Sequence, residues 1–314
     1  MTKILAVFGA TGQQGSSVVD FVLNDPELSK QYEIRAITRR LDSEKALALQ
    51  QKVRVVQGDV LDRASLEAAL AGVHVVFVMT NPSFTPGGVE VEFSSAKAVA
   101  DVAVEMGAEY IIFSTMPPVP ERARGRFPEE VVSFDAKMKA EKYIRSLPVK
   151  SAFFAPAFFM ENFQPPSYYG PQRLPDGTWA LQRLNSSRSR MPLIDAVGDT
   201  GKFIGAILAQ PDKYHGKTFC AAGGIYTGDE MAAIMSKATG KTIVCKQITS
   251  DEFRKALPHA TDDHVKVIEA LSYGEEFDYW GPDTKELVAW AAENARGRPS
   301  TLEEYLEAHP INLD

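Results

Sequence analysis

The chain has 314 residues, of which 45% are hydrophobic and 24% are charged, and its formal net charge is −7. This composition excludes the disordered and fibrous classes, and the length is sufficient to bury a core without disulfide bonds. A negative net charge repels nucleic acid phosphates, so we do not expect direct DNA or RNA binding as the main function.

The cysteines, the histidines and the first apolar run bear on location and on metal binding. Cys220 and Cys245 form no C-x-x-C pattern, which is typical of free thiols in a reducing compartment. The five histidines have no metal-ligand spacing, so no metal site is expected. Residues 4–8 are too few to cross a membrane or to form a signal-peptide core. We expect a cytoplasmic or nuclear protein without a membrane segment.

Six short β-rich runs alternate with helical patterns in the first half of the chain. Apolar residues between the runs recur at the spacing of amphipathic helices. Alternation of helices with nearly continuous apolar strands predicts an α/β fold, a Rossmann-type doubly wound parallel sheet covered on both faces. The predicted strands span residues 3–8, 33–38, 53–57, 73–79, 110–114 and 151–155.

Prolines and glycines interrupt this alternation after residue 155. We therefore predict that residues 1–155 form a dinucleotide-binding domain and that residues 156–314 form a second, smaller α/β domain. The chain is expected to rejoin the first domain at about 190–210, through a helix that Asp199 caps.

A glycine-rich segment follows the first predicted strand and opens the first predicted helix. Gly9, Gly12 and Gly15 are spaced three residues apart. The first glycine allows a tight turn, the second lets the backbone approach a pyrophosphate, and the third permits close packing of the helix on the strand. The helix N-terminus adds unpaired N–H groups. We predict that the pyrophosphate of a dinucleotide binds to the loop formed by Gly9, Thr11, Gly12, Gln13, Gln14 and Gly15.

The end of the second predicted strand indicates which dinucleotide binds. An NAD site places a carboxylate there to bind the ribose 2′-hydroxyl, whereas this chain has Arg39 and Arg40. Guanidinium groups pair with a 2′-phosphate, so the predicted cofactor is NADP(H). Asp59 and Val60 follow the third strand and are predicted to flank the adenine, with a helix cap as the alternative role for Asp59.

Five longer motifs accompany the glycine loop. They are Val78-Met79-Thr80-Asn81, Phe113-Ser114-Thr115-Met116-Pro117, Phe134-Asp135-Ala136-Lys137, Phe159-Met160-Glu161-Asn162 and Leu174-Pro175-Asp176-Gly177-Thr178. Together they resemble the NmrA-like family over nearly the whole chain. These atypical relatives of the short-chain dehydrogenases and reductases include fungal nitrogen-metabolite regulators and a human redox sensor.

The resemblance implies a cleft between the Rossmann domain and a smaller α/β domain. It also implies that the nicotinamide half of the cofactor is bordered by Thr80, Asn81, Lys137, Phe159 and Asn162. Members of this kind are proposed to read the nicotinamide nucleotide pool and to act on a regulatory protein partner, without binding DNA themselves.

The chain departs from the active short-chain reductases at the catalytic tyrosine. Their Tyr-x-x-x-Lys pattern places a phenol and an ammonium on one helix face, so that the lysine lowers the pKa of the phenol. Here Ser133 stands four residues before Lys137, and an aliphatic hydroxyl is a weak acid. Lys137 is the candidate catalytic group, with Ser114 at a strand end as a second candidate.

Two hypotheses for the function remain open at this stage. The leading one is an NADP(H)-binding redox sensor or transcriptional regulator that acts through protein partners. The other is an NADPH-dependent reductase of a small carbonyl, quinone or imine substrate. Residues 117–132 form a connection long enough for a lid over the site or for an irregular loop. The sequence leaves the substrate, the partner and the oligomeric state open.

Overall fold

The computed structural model describes residues 2–117, 131–256, 262–272 and 274–313. The strands in these residues are β1 (Lys3–Phe8), β2 (Tyr32–Thr38), β3 (Arg54–Gln57), β4 (Val75–Val78), β5 (Tyr110–Ser114), β6 (Lys150–Pro156), β7 (Phe158–Phe159), β8 (Gln172–Arg173), β9 (Trp179–Arg183), β10 (Arg190–Ile194), β11 (Thr218–Ala221), β12 (Gly224–Thr227) and β13 (Ile243–Gln247).

The helices in the described residues follow the strands in the first half and dominate the last third. They are α1 (Gln13–Asn24), α2 (Leu28–Gln31), α3 (Glu44–Gln50), α4 (Arg63–Leu70), α5 (Gly88–Glu105), α6 (Phe134–Ser146), α7 (Ala196–Ala209), α8 (Pro211–Tyr214), α9 (Gly228–Thr239), α10 (Ser250–Ala256), α11 (Asp262–Ser272), α12 (Gly274–Phe277), α13 (Thr284–Asn294) and α14 (Leu302–Ala308), with a 3₁₀ turn at Met160–Phe163.

A seven-stranded parallel sheet forms the larger part of the fold. Its strand order is β11-β6-β5-β4-β1-β2-β3, so the chain leaves β1 in one direction through β2 and β3 and then returns to add β4 and the following strands on the other side of β1. The predicted doubly wound α/β fold is confirmed. All carboxyl ends of these strands meet at one edge, and the change of direction opens a crevice between β1 and β4, where ligands bind in such folds.

Alternation along the interior strand β1 explains why helices cover both faces of this sheet. Leu5 and Val7 pack into the core on one face, whereas Ala6 and Phe8 pack into the core on the other. Successive side chains of a strand point to opposite faces, so an unbroken apolar strand must be covered twice. Each of the six predicted strands is present, with ends that differ from the prediction by two residues or fewer.

Two small sheets lie beyond the sixth strand. One has the order β12-β10-β7 and the other the order β13-β9-β8. They share a core in which Met160, Leu181 and Met235 meet Leu302 of α14. The chain then returns to the large sheet, because β11 pairs with β6 and α7 packs against α1. The division of the chain near residue 155 remains a prediction, and the large sheet takes its seventh strand from beyond it.

The predicted cap of α7 is wrong. The helix begins at Ala196, and the Oδ1 atom of Asp195 accepts a hydrogen bond of 2.6 Å from the backbone N–H of Gly198. Asp199 lies one turn inside the helix and is fully buried, where it pairs with Lys202 and accepts from the backbone of Ser300. Two aspartates lie near this helix start, and only tertiary packing distinguishes the cap from the buried partner.

The predictions for a lid, a membrane segment and a metal site can be compared only with the described residues. Of the predicted lid or irregular loop at 117–132, residues 118–130 lie outside the described residues. Among the helices described, none is both long and apolar enough to cross a membrane. The described ranges also hold no cluster of three or more His, Cys, Asp or Glu side chains arranged for a metal ion.

Helices α1 and α7 approach closely because glycines line their contact. A Cβ atom on Gly201 would collide with Phe21 and would lie 2.5 Å from the backbone oxygen of Ser17. The backbone N–H of Gly201 donates a 2.9 Å hydrogen bond to the Ser17 hydroxyl across this interface. A Cβ on Gly205 would likewise meet the Phe21 ring. This contact connects the second half of the chain to the helix that follows the glycine loop.

We expect Gly201→Ala to lower the free energy of unfolding by about 1–3 kcal/mol, because an added methyl group overpacks the contact. Urea denaturation measures the effect. The control is Val197→Ala on the exposed first turn of the same helix, which should change stability by less than about 0.5 kcal/mol. Equal stability of Gly201→Ala and the wild type would contradict the close helix contact.

Candidate functional site

The loop after β1 has the backbone geometry predicted for a dinucleotide site. Gly9 adopts a φ of +65°, in the left-handed region that glycine favours, and its carbonyl accepts a 2.8 Å hydrogen bond from Gly12. A Cβ on Gly15 would collide with the Gly9 carbonyl, so only glycine allows α1 to start this close to the strand. The tight turn and the close packing are therefore confirmed.

The N-terminus of α1 faces the carboxyl edge without a side-chain cap. Gly12 is the N-cap residue, and Thr11 and Gln13 beside it are at least partly exposed. Gln14 is buried, and its Oε1 atom has no hydrogen-bond partner among the described residues. Unpaired N–H groups and the positive end of the helix dipole favour an anion at this position.

The two arginines after β2 lie at the same edge. Arg39 and Arg40 are exposed, and neither forms an ion pair within the described part of the chain. The backbone oxygen of Thr38 accepts from Gly58, which holds the ends of β2 and β3 together. Two exposed guanidinium groups therefore lie beside the ends of two parallel strands, without an ion-pair partner among the described residues.

Asp59 is engaged in the turn that follows β3. Its Oδ1 atom accepts a 3.0 Å hydrogen bond from the backbone of Leu61, and its own N–H donates 2.7 Å to the Ser65 hydroxyl. The N-cap of α4 is Asp62, not Asp59. Val60 is half-buried and packs against the core on one face of the large sheet. Their contact with an adenine remains a prediction.

Lys137 lies in a buried polar cluster at the carboxyl edge, between β4 and α6. Its ammonium group pairs with the carboxylate of Glu92 on α5. It also donates to the hydroxyl and the backbone oxygen of Thr80, at 2.9 and 3.0 Å. The Thr80 hydroxyl donates to the same Glu92 oxygen at 2.7 Å. Lys137 is only 8% exposed, so it is not one of the solvated lysines of its helix.

Two opposing effects act on the pKa of Lys137 in this cluster. Burial lowers the pKa of the Lys137 ammonium, and the neighbouring Glu92 carboxylate acts in the opposite direction. Glu92 is 2% exposed, and its second oxygen, Oε2, has no partner among the described residues. A lysine has three N–H donors, and here all three reach acceptors on Thr80 and Glu92.

Ser133 occupies the position four residues before Lys137, where the reductase pattern has a tyrosine. It is the N-cap of α6 with a φ of 72°, and its carbonyl accepts from the backbone of Lys137. The Ser133 side chain makes no capping hydrogen bond, and an aliphatic hydroxyl is too weak an acid to replace a phenol simply. Ser114 ends β5 as predicted and is buried.

The remaining residues predicted to border the nicotinamide differ in their exposure. Asn81 follows Thr80 and is exposed. Phe159 is half-buried on β7 and packs against the core of the large sheet, and Asn162 is half-buried in the 3₁₀ turn. Their contact with a nicotinamide remains a prediction.

Glu92 is the functional candidate that sequence reasoning missed. It interrupts the apolar stripe of α5, in which Val89, Ala96, Val99 and Ala103 are buried at helical spacing. An acidic residue on such a stripe is rarely buried unless it is paired. That interruption was the available signal, although it did not indicate which cation would be the partner.

Comparison with known proteins agrees with this architecture. The sequence profile of the NmrA-like family matches residues 1–306. The chain belongs to the NmrA-like family. It is 30% identical to the NmrA-like family domain-containing oxidoreductase FrzB of a Cladobotryum species, over 77% of this chain and 75% of that protein.

Two solved structures share the fold at lower identity. NmrA, a negative transcriptional regulator in complex with NADP, has a TM-score of 0.77 and 21% identity, with 99% of this chain and 98% of that chain covered. The triphenylmethane reductase of a Citrobacter species, complexed with NADP(H), has a TM-score of 0.73 and 19% identity, with 98% and 99% covered.

We expect Glu92→Gln to lower the free energy of unfolding by about 3–5 kcal/mol, because it leaves a buried ammonium without its carboxylate. The matched control is Glu90→Gln on the same helix. Glu90 pairs with Lys139 of α6 at 3.3 Å, but that pair is exposed, and its loss should cost less than about 1 kcal/mol. Chemical denaturation of both variants measures the difference. Similar losses in the two variants would contradict the buried pair.

Proposed function

We propose that this chain binds NADP(H) along the carboxyl edge of the large sheet. The observation that carries the proposal is the conformation of the loop from Gly9 to Gly15. Gly9 has a left-handed φ, and Gly15 has no Cβ, so the N-terminus of α1 lies against the end of β1 without a side-chain cap. Such a terminus suits a pyrophosphate. The solved structures of NmrA and of triphenylmethane reductase, which have the same fold, are described with NADP or NADP(H).

The preference for the phosphorylated nucleotide rests on Arg39 and Arg40. NmrA is also described in complex with NAD, so the likeness to it does not discriminate between the two nucleotides. Two exposed guanidinium groups without ion-pair partners in the described residues favour an added phosphate. The position at the end of β2 is the one where ribose recognition occurs in this class of fold.

We expect Arg39→Ala to weaken NADP⁺ binding roughly ten- to hundredfold while NAD⁺ binding stays nearly unchanged, because in the proposed site the guanidinium would contact only the 2′-phosphate. Isothermal titration with both nucleotides is the measurement. Arg54→Ala is the control, since Arg54 is an exposed residue at the opposite end of a neighbouring strand. Equal losses for the two nucleotides would remove Arg39 from phosphate recognition.

We further propose that the chain is an NADPH-dependent oxidoreductase. Its relative FrzB carries the name oxidoreductase, at 30% identity over most of both chains. When bound, NADPH supplies a hydride. The chain's own contribution is a buried, charge-balanced cluster of Lys137, Glu92 and Thr80 at the predicted nicotinamide position.

The hydrogen bonds of Lys137 restrict the class of substrate. All three of its donors are engaged, so it can protonate a substrate only after it breaks one of these bonds. A ketone that accepts hydride becomes an alkoxide and needs a proton at that moment. A protonated imine becomes a neutral amine without any further proton, and a quinone gives a stabilised hydroquinone anion that solvent can protonate. We therefore favour a protonated imine or a quinone over a simple ketone.

Steady-state consumption of NADPH tests this preference. We expect turnover with 2-methyl-1-pyrroline or with 2-methyl-1,4-naphthoquinone, and with acetophenone a rate at least about a hundredfold lower, the effect of one missing acid. Arg39→Ala should raise the KM for NADPH without a comparable change in kcat. Acetophenone turnover at a rate similar to that of the other two would contradict the assignment.

The alternative function is a redox sensor that acts through a protein partner. Two observations favour it: a serine, not a tyrosine, stands four residues before Lys137, and the fold is that of NmrA, described as a negative transcriptional regulator. A sensor must adopt different conformations with NADP⁺ and with NADPH. Absence of NADPH consumption together with different hydrogen-exchange patterns in the two nucleotide states would support the sensor. Identical patterns would leave it without a mechanism.

A further inference from the structure

A second cavity lies in the smaller part of the fold, away from the glycine loop. Its walls are formed by β9, β10 and the 3₁₀ turn on one side and by α10 and α11 on the other. Its volume is about 60 Å³, several times the roughly 10–15 Å³ that one water requires. Most of its walls are apolar, and they include Phe158, Leu181, Met191, Met231, Phe253 and Leu271.

One cation, Arg183 at the end of β9, lines this apolar cavity. Its guanidinium nitrogens lie 3.8 Å from the sulfur of Met191 and 3.9 Å from the sulfur of Met231. A thioether is a weak acceptor and carries no charge to balance the arginine. Burial lowers the pKa of Arg183, as expected for a cation in apolar surroundings.

Within the described residues no carboxylate forms an ion pair with Arg183. The Glu275 carboxylate interacts electrostatically with Arg183 without forming an ion pair. It accepts hydrogen bonds from the backbone N–H and the hydroxyl of Ser186 instead. Arg183 is half-buried, and a charge partly withdrawn from water among apolar side chains gains from an anionic partner. A cation held against two methionines is therefore in the state expected of a binding group without its ligand.

We propose that this cavity binds a small apolar monocarboxylate, with Arg183 pairing to its carboxylate. The planar guanidinium fork matches a carboxylate in a bidentate arrangement, which a lone amide or hydroxyl does not provide. The walls suit an aromatic or aliphatic body, and the Phe158 and Tyr169 rings already meet edge to face at 5.4 Å. Burial raises the pKa of Tyr169 to about 12, so this residue adds no negative charge that would repel the ligand.

The cavity is distinct from the predicted nucleotide site. None of the residues predicted to bind NADP(H) lines it. Phe158 and Phe159 are adjacent on β7, and they point to opposite sides: Phe158 packs with the core of the smaller sheets and Phe159 with the core of the large sheet. The proposal therefore stands whether or not the nucleotide site functions as proposed above.

Isothermal titration of the full chain with phenylacetate and with its neutral analogue phenylacetamide tests the proposal, with and without saturating NADPH. We expect the wild type to bind phenylacetate at least about tenfold more tightly than the amide, the usual effect of one charge-assisted pair. Arg183→Met should abolish this preference. Arg188→Met, a change at an exposed arginine of the same region, should retain it.

Thermal unfolding distinguishes a ligand-binding Arg183 from one that only stabilises the fold. Because Arg183→Met replaces an unpaired cation by an apolar side chain, the ligand-free variant should have a Tm equal to or higher than that of the wild type. Phenylacetate should raise the Tm of the wild type and not that of the variant. The proposal is overturned if phenylacetate does not bind, if it binds no better than the amide, or if Arg183→Met lowers the Tm and keeps the preference.

Discussion

The close packing of α1 on both of its sides is the constraint on which the structure depends. At its start, the missing side chain of Gly15 lets the helix meet the Gly9 carbonyl. Along its length, Gly201 and Gly205 let α7 meet the same helix. A helix held this tightly cannot shift without breaking contacts at both places. The loop that is proposed to hold the pyrophosphate is therefore positioned by residues nearly two hundred positions later.

A second constraint acts at the other end of the crevice. The pair of Lys137 and Glu92 joins α5 to α6 and leaves the site without net charge from these two groups. Thr80 connects the pair to the end of β4 through three hydrogen bonds. A buried pair of this kind is costly to desolvate and contributes more to geometry than to stability. Its effect here is to fix a lysine that would otherwise sample many rotamers.

The described residues distribute their cationic groups unevenly. Arg39 and Arg40 are exposed after β2, Lys137 is neutralised beside Thr80 after the middle strand β4, and Arg183 has no ion pair in the smaller part of the fold. In a chain with a net charge of −7, free arginines are the natural positions for anionic ligands. The two proposed sites thus differ in character: one recognises phosphate in water, and the other a carboxylate in an apolar cavity.

The sequence alone determined the parallel α/β fold, the positions of its first six strands and the conformation of the glycine loop. These features depend on local patterns: apolar runs, helical spacing and a glycine that must adopt a positive φ. Other features were decided only by tertiary structure. Asp195 rather than Asp199 caps α7, Glu92 pairs with Lys137 across 45 positions, and Ser133 adopts a φ of 72° at the start of α6. The physical reason is that ion pairs, caps and cavities depend on which side chains come into contact in the folded chain. Local sequence periodicity carries no information about those long-range contacts.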